Sequence, residues 1–200
     1  MASKITSSIP ESSFEKVRNR VAEILSNELP AQEYLLGVEM PTKAWVERLI
    51  PFDERTEFPA INVSVERLNF DGQDVRQSNN TITVNIDCYC NSTSNQNEYA
   101  DKDAMFKLHT LVRVVRGVLE HNIYRTLDFL PPFIFSRKIQ NVIFAKSNEQ
   151  DANTGVFCRI VLEVKVAEQN GTNPPILLDK SETEVKINES EKGYYFEAVS

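Results

Sequence analysis

The sequence has few of the residues from which catalytic and metal centres are made. Its 200 residues include three cysteines, two histidines and one tryptophan. Cys88-x-Cys90, the remote Cys158, His109 and His121 match neither the C-x2-C nor the H-x3–5-H spacing of zinc sites. An odd number of cysteines cannot form a closed set of internal disulfides, which suits a reducing compartment. The six glycines stand singly, so G-x-x-x-x-G-K-[ST] and G-x-G-x-x-G are both absent. G-x-S-x-G is absent too, and with it the nucleophile elbow. Lys and Arg (22) are outnumbered by Asp and Glu (29), and a net charge of −7 argues against a surface that grips nucleic-acid phosphates. No run approaches the roughly 18 apolar residues of a membrane span. The opening MASKITSSIPESSFEK lacks the apolar core of a secretory signal. Without that signal, the sequons at Asn62, Asn79, Asn91, Asn170 and Asn188 read as chance in an Asn-rich chain.

What is present is ordinary globular material, 41% hydrophobic and 26% charged, enough for one domain with arms. Ser12 and Glu15 have the spacing of a capping box, and Phe14, Val17, Val21 and Ile24 follow at helical spacing. Pro30 predicts that this helix ends near Leu29. Residues 31–59, broken by Pro41, Pro51 and Pro59, read as a long connection with a short strand around Trp45–Leu49. Ile61, Val63 and Val65 alternate with polar residues, as do Ile82, Val84, Ile86, Cys88 and Cys90. These predict a hairpin with a polar tip over residues 71–80. Ala104, Leu108, Leu111, Val115 and Val118, widened by Met105, Val112 and Leu119, form the stripe of a long amphipathic helix. FIFSRKIQNVIFAK reads as one or two strands, and VFCRIVLEVKV as the strongest strand. Beyond Ala167 the chain turns polar and Pro/Gly-punctuated, an arm without a core of its own.

All three cysteines fall on the apolar sides of strands, where a free thiol behaves as a small hydrophobe. Asp101-x-Asp103 reads as negative charge near a helix N-terminus rather than a metal pair. The expectation is therefore a non-enzymatic protein with no catalytic residue, cofactor or metal.

The order of elements carries a resemblance. An N-terminal amphipathic helix, a long connection, the P-x-I-x-V strand in FPAINVSV, a long-tipped hairpin, one long helix and a closing strand follow one another. This layout, over residues 12–167, resembles the tail terminator (tail completion) proteins of long-tailed bacteriophages and related contractile particles. The resemblance implies an α+β fold, with a mostly antiparallel or mixed sheet flanked by the two helices. It implies a homohexameric ring at the head-proximal end of the tail. Such a ring stops polymerisation of the tube, and possibly the sheath, and meets the neck or head–tail connector. The setting implied is the virion, assembled in the bacterial cytoplasm, with DNA passing an acidic lumen without specific binding and no membrane involved. A neighbouring neck or head–tail joining protein, or a non-catalytic protein-binding adaptor, are the alternatives.

On this reading residues 1–11 are a flexible start, 12–167 the terminator-like domain and 168–200 a C-terminal extension. Candidate contacts are Trp45 and Phe52 in the connection and Asp71, Gln73, Asp74 and Arg76 at the hairpin tip. Tyr194, Tyr195 and Phe196 in the arm complete the set, since aromatics are favoured at interfaces. For Trp45 the equal alternative is that it covers its own domain.

Overall fold

A computed structural model describes residues 8–53, 57–71, 77–91, 97–146, 155–169, 181–185 and 194–198. The capping box forms as the sequence predicts: the Glu15 carboxylate accepts the Ser12 N–H at 2.8 Å at the start of α1 (Ser13–Leu36). The Ser12 hydroxyl, which donates to the same carboxylate, and then the backbone N–H hold the Glu15 carboxyl below its ordinary value. Val17, Val21, Ile24, Leu25 and Leu29 form the buried face of the helix.

The helix does not stop at Pro30, as the sequence predicts, but continues to Leu36. Proline lacks the N–H for the carbonyl four residues back, yet Pro30 is exposed, where water can solvate that carbonyl. Gly37 then closes the helix in the left-handed conformation (φ 63°), its N–H donating to the Glu33 carbonyl at 2.9 Å.

Five strands form one sheet in the order β1-β2-β3-β5-β4. They are β1 (Ala44–Val46), β2 (Ala60–Asp71), β3 (Gln77–Cys90), β4 (Ile134–Lys146) and β5 (Val156–Gln169). β1 runs parallel to β2 and every other pair is antiparallel, so the sheet is mixed and the fold α+β. Pairing reaches Asp71↔Asn79, so the strands absorb Asp71 and residues 77–80 of the predicted polar tip, and 72–76 lie outside the described residues. FIFSRKIQNVIFAK is a single strand, β4, carrying two bulges.

α2 (Asn97–Glu120) packs on β3 and β5, and α1 on β1 and β2. Both helices cover one face of the sheet. Ile82, Val84, Ile86 and Cys88 from β3 meet Cys158, Ile160, Leu162 and Val164 from β5 beneath them, all fully buried. The turn after α2 is tied back to α1: the Arg20 guanidinium donates to the Leu127 carbonyl at 3.2 Å and also pairs with Asp128, and Tyr124 donates to Glu28.

Residues 170–200 form a separate unit in which β6 (Ser181–Val185) pairs antiparallel with β7 (Tyr194–Ala198). The boundary lies two residues later than the sequence predicts because β5 runs on to Gln169.

Candidate functional site

The cysteines are built as scaffold. Cys88 faces Cys158 across the β3–β5 ladder, both are fully buried, and Cys90 is nearly so. Burial pushes the Cys90 thiol up to about 12 and Cys158 to about 11, and raises Cys88 well above its ordinary value. A thiol held in that form is a poor nucleophile and a poor metal ligand. Among the described residues no group of three His, Cys, Asp or Glu side chains converges as metal ligands would. Replacing Cys88 and Cys90 together by valine is expected to cost about 1–3 kcal/mol, because each valine keeps the site apolar but adds one heavy atom to a packed core. A two-state denaturation curve measures it, and loss of assembly with the fold intact would contradict a scaffold role.

The face of the sheet opposite the helices holds two features. At its centre the Arg159 guanidinium donates twice to the buried Asp87 carboxylate, at 2.7 and 2.8 Å. At one end an aromatic cluster gathers Trp45, Phe52, Phe58, Tyr89 and Phe157, with centroids 5.2 to 6.5 Å apart along the chain of contacts. Burial in this cluster, with Asp87 adjacent, pushes the Tyr89 hydroxyl up to about 12. Arg48 ties the cluster together. Its guanidinium lies 4.6 Å from the Trp45 ring and 4.3 Å from Phe52, and donates to both Glu57 oxygens at 2.6 and 2.7 Å. Asn62 on β2 exchanges hydrogen bonds with the Arg48 backbone. The connection from β1 to β2 is thus strapped onto its own sheet.

The Glu57 carboxyl is held below its ordinary value of 4.5, chiefly by Arg48. A depressed carboxylate contributes its stabilisation above the unfolded value and loses it as pH falls through the lower folded one. The strap is therefore expected to stay closed above pH 4.5. Faster hydrogen exchange of residues 47–53 should appear as pH drops further, after correction for the intrinsic rate. Arg48→Met should show the same loosening already at neutral pH.

The predicted contact residues separate accordingly. Trp45 and Phe52 come together, half-buried, and their rings cover their own sheet. Asp71 ends β2, while Gln73, Asp74 and Arg76 lie outside the described residues. Tyr194, Tyr195 and Phe196 lie on β7, paired with Val185, Glu184 and Thr183.

The largest exposed apolar side chains are elsewhere. Tyr34, Leu35 and Leu36 end α1, Leu49 and Ile50 project from the strap, and Phe106 lies on α2. Phe135, Ile143 and Phe144 lie on the edge strand β4. Of these, Phe106 was legible in the sequence, since it falls off the α2 stripe. The α1 end was not, because Pro30 masks the helix that carries it. A scan against protein-family models and a search of curated proteins found no match to this chain.

Proposed function

We propose that the chain is a structural ring protein at the head-proximal end of a phage-like tail. There it terminates the tail tube, and possibly the sheath, and presents a surface to the neck. The observation that supports this reading best is the order of elements. A capped N-terminal helix, a strapped connection, a long hairpin, one long amphipathic helix and closing strands form a single mixed sheet with both helices on one face. Large apolar side chains are exposed at both edges of that sheet, and the buried thiols are unsuited to chemistry. Assembly rather than turnover is the activity this arrangement serves.

The test uses purified particles and tube protein from the virus that encodes the chain. The protein is expected at the head-proximal end of tails, and tubes assembled in its presence should be capped and stop elongating. Absence from particles together with no effect on tube growth would sink the reading. Binding to the neck but not to the tube would turn it toward a head–tail joining protein.

A further inference from the structure

β4 is an edge strand whose two halves are protected differently. Among the described residues no strand pairs with its outer side, because the sheet ends in β5-β4. An edge strand presents unpaired N–H and carbonyl groups, and bulges and charged side chains are what blunt it. The first half, residues 134–140, has both: bulges at Ile134/Ser136 and Ile139/Asn141, and the charges of Arg137 and Lys138. The second half, 141–146, pairs with β5 residue for residue from Asn141↔Val161 to Lys146↔Val156. It contains no proline or glycine and no charge before its last residue. Ile143 and Phe144 are 50% and 45% exposed there. A regular, apolar, unguarded stretch of edge is a template for an added strand.

The chain also contains strands that need such a template. Among the described residues β6 and β7 pair only with each other, in a unit apart from the 8–169 body. A two-stranded hairpin is marginally stable at best in water, and further strands or a packed layer are what stabilise it. Each of its strands is five residues long, which fits the six of the unguarded run. β7 begins Tyr194, Tyr195 and Phe196, residue types that favour strands.

Reach decides which copy is the host. β5 ends at Gln169, past the level of Ile134, which pairs with Val166. The unguarded run lies opposite Val156–Val161, roughly 26–43 Å back along β5 at about 3.3 Å per residue. Residues 170–180, between β5 and β6, span at most about 36–40 Å even when fully extended. Returning to the run of its own chain would consume nearly all of that length in one straight path. A neighbouring copy can present its run close to the end of β5.

We infer that the β6–β7 hairpin of one copy adds to residues 141–146 of β4 in a second copy of this chain, with β7 as the sixth strand of that sheet. The donor and the acceptor are different surfaces, so the contact repeats from copy to copy and closes into a ring where the rotation allows. The inference rests on the ring reading and supplies a contact that would build it.

The experiment makes Ile143→Glu and Phe196→Pro separately in the full chain. Glutamate charges the open edge, and Arg159, opposite Ile143 in the ladder, accommodates it within the single chain. Proline removes a backbone donor from β7. Mass is measured by light scattering after gel filtration, and hydrogen exchange of residues 141–146 is followed as the wild type is diluted. The wild type is expected to be a discrete oligomer in which the outward amides of 141–146 exchange more slowly than in the dilute monomer. Each variant is expected to be monomeric where the wild type assembles, its dissociation constant raised on the order of thirtyfold or more. Mixed in equal amounts, the two variants should form a heterodimer that grows no further, since one intact hairpin meets one intact edge. A wild type that stays monomeric at high concentration overturns both this contact and the ring. Protection of 141–146 that does not change on dilution overturns the second copy as occupant, because the edge is then covered within one chain. An oligomer whose 141–146 amides exchange as fast as in the monomer overturns the contact and leaves the ring standing on other surfaces. Variants that assemble like the wild type do the same.

Discussion

Leu25→Ala is expected to destabilise the single chain by about 2–5 kcal/mol, the range for deleting a buried leucine side chain. Leu25 has no exposed surface and lies on the face by which α1 grips the sheet. The substitution removes transferred apolar area and leaves a cavity that a packed core fills only in part. In a body of this size that corresponds to a fall in Tm of roughly 5–20 °C. The control lies ten residues further along the same helix. Leu35, exposed by 70%, should change the stability of the monomer by less than about 0.5 kcal/mol when replaced by alanine. Equal costs at the two positions would mean that the end of α1 is packed within its own chain. It would then be unavailable to a neighbour.

Arg159→Met should cost a comparable amount, about 2–4 kcal/mol, by leaving the Asp87 carboxylate buried without its partner. Asp87 is 4% exposed, and both its oxygens accept from the guanidinium. Arg159 is itself more exposed, so removing the carboxylate instead is less severe, and Asp87→Asn should cost less than Arg159→Met. The double variant should recover part of the loss, because the charge that made the single substitution costly is gone. Urea denaturation of the four proteins measures the coupling. A simple sum of the two single effects would show that the pair contributes little beyond its packing.

The two features behind these predictions were not equally visible in the sequence. The helical spacing of Val17, Val21 and Ile24 marks the buried side of α1 directly, and the same spacing includes Leu25. The Asp87–Arg159 pair is different. Both residues fall on the polar side of strands that read as half-buried, and only the β3–β5 register sets them opposite one another. Trp45 and Phe52 were visible as unusual residues in a long connection, but whether they faced a partner or their own sheet was not. Arg48 and Glu57 decide that, through contacts between residues nine positions apart that no periodicity records.

Local patterns therefore determined the elements and their inward faces. A period of two in β2, β3 and β5, a period near 3.6 in α1 and α2, and a capping box each depend on residues a few positions apart. Local chemistry also placed the cysteines of β3, Cys88 and Cys90, in line with Ile82, Val84 and Ile86 as members of a core. Only the tertiary structure decided which residues stay outside. The fate of Tyr34, Leu35 and Leu36 depends on what packs beneath the end of α1, and Leu29 is the last buried residue of that helix. That Phe144 ends an edge strand beside α2 depends on the strand order β1-β2-β3-β5-β4. Exposure is a property of the whole packed body, so a surface for assembly emerges only when the body is closed.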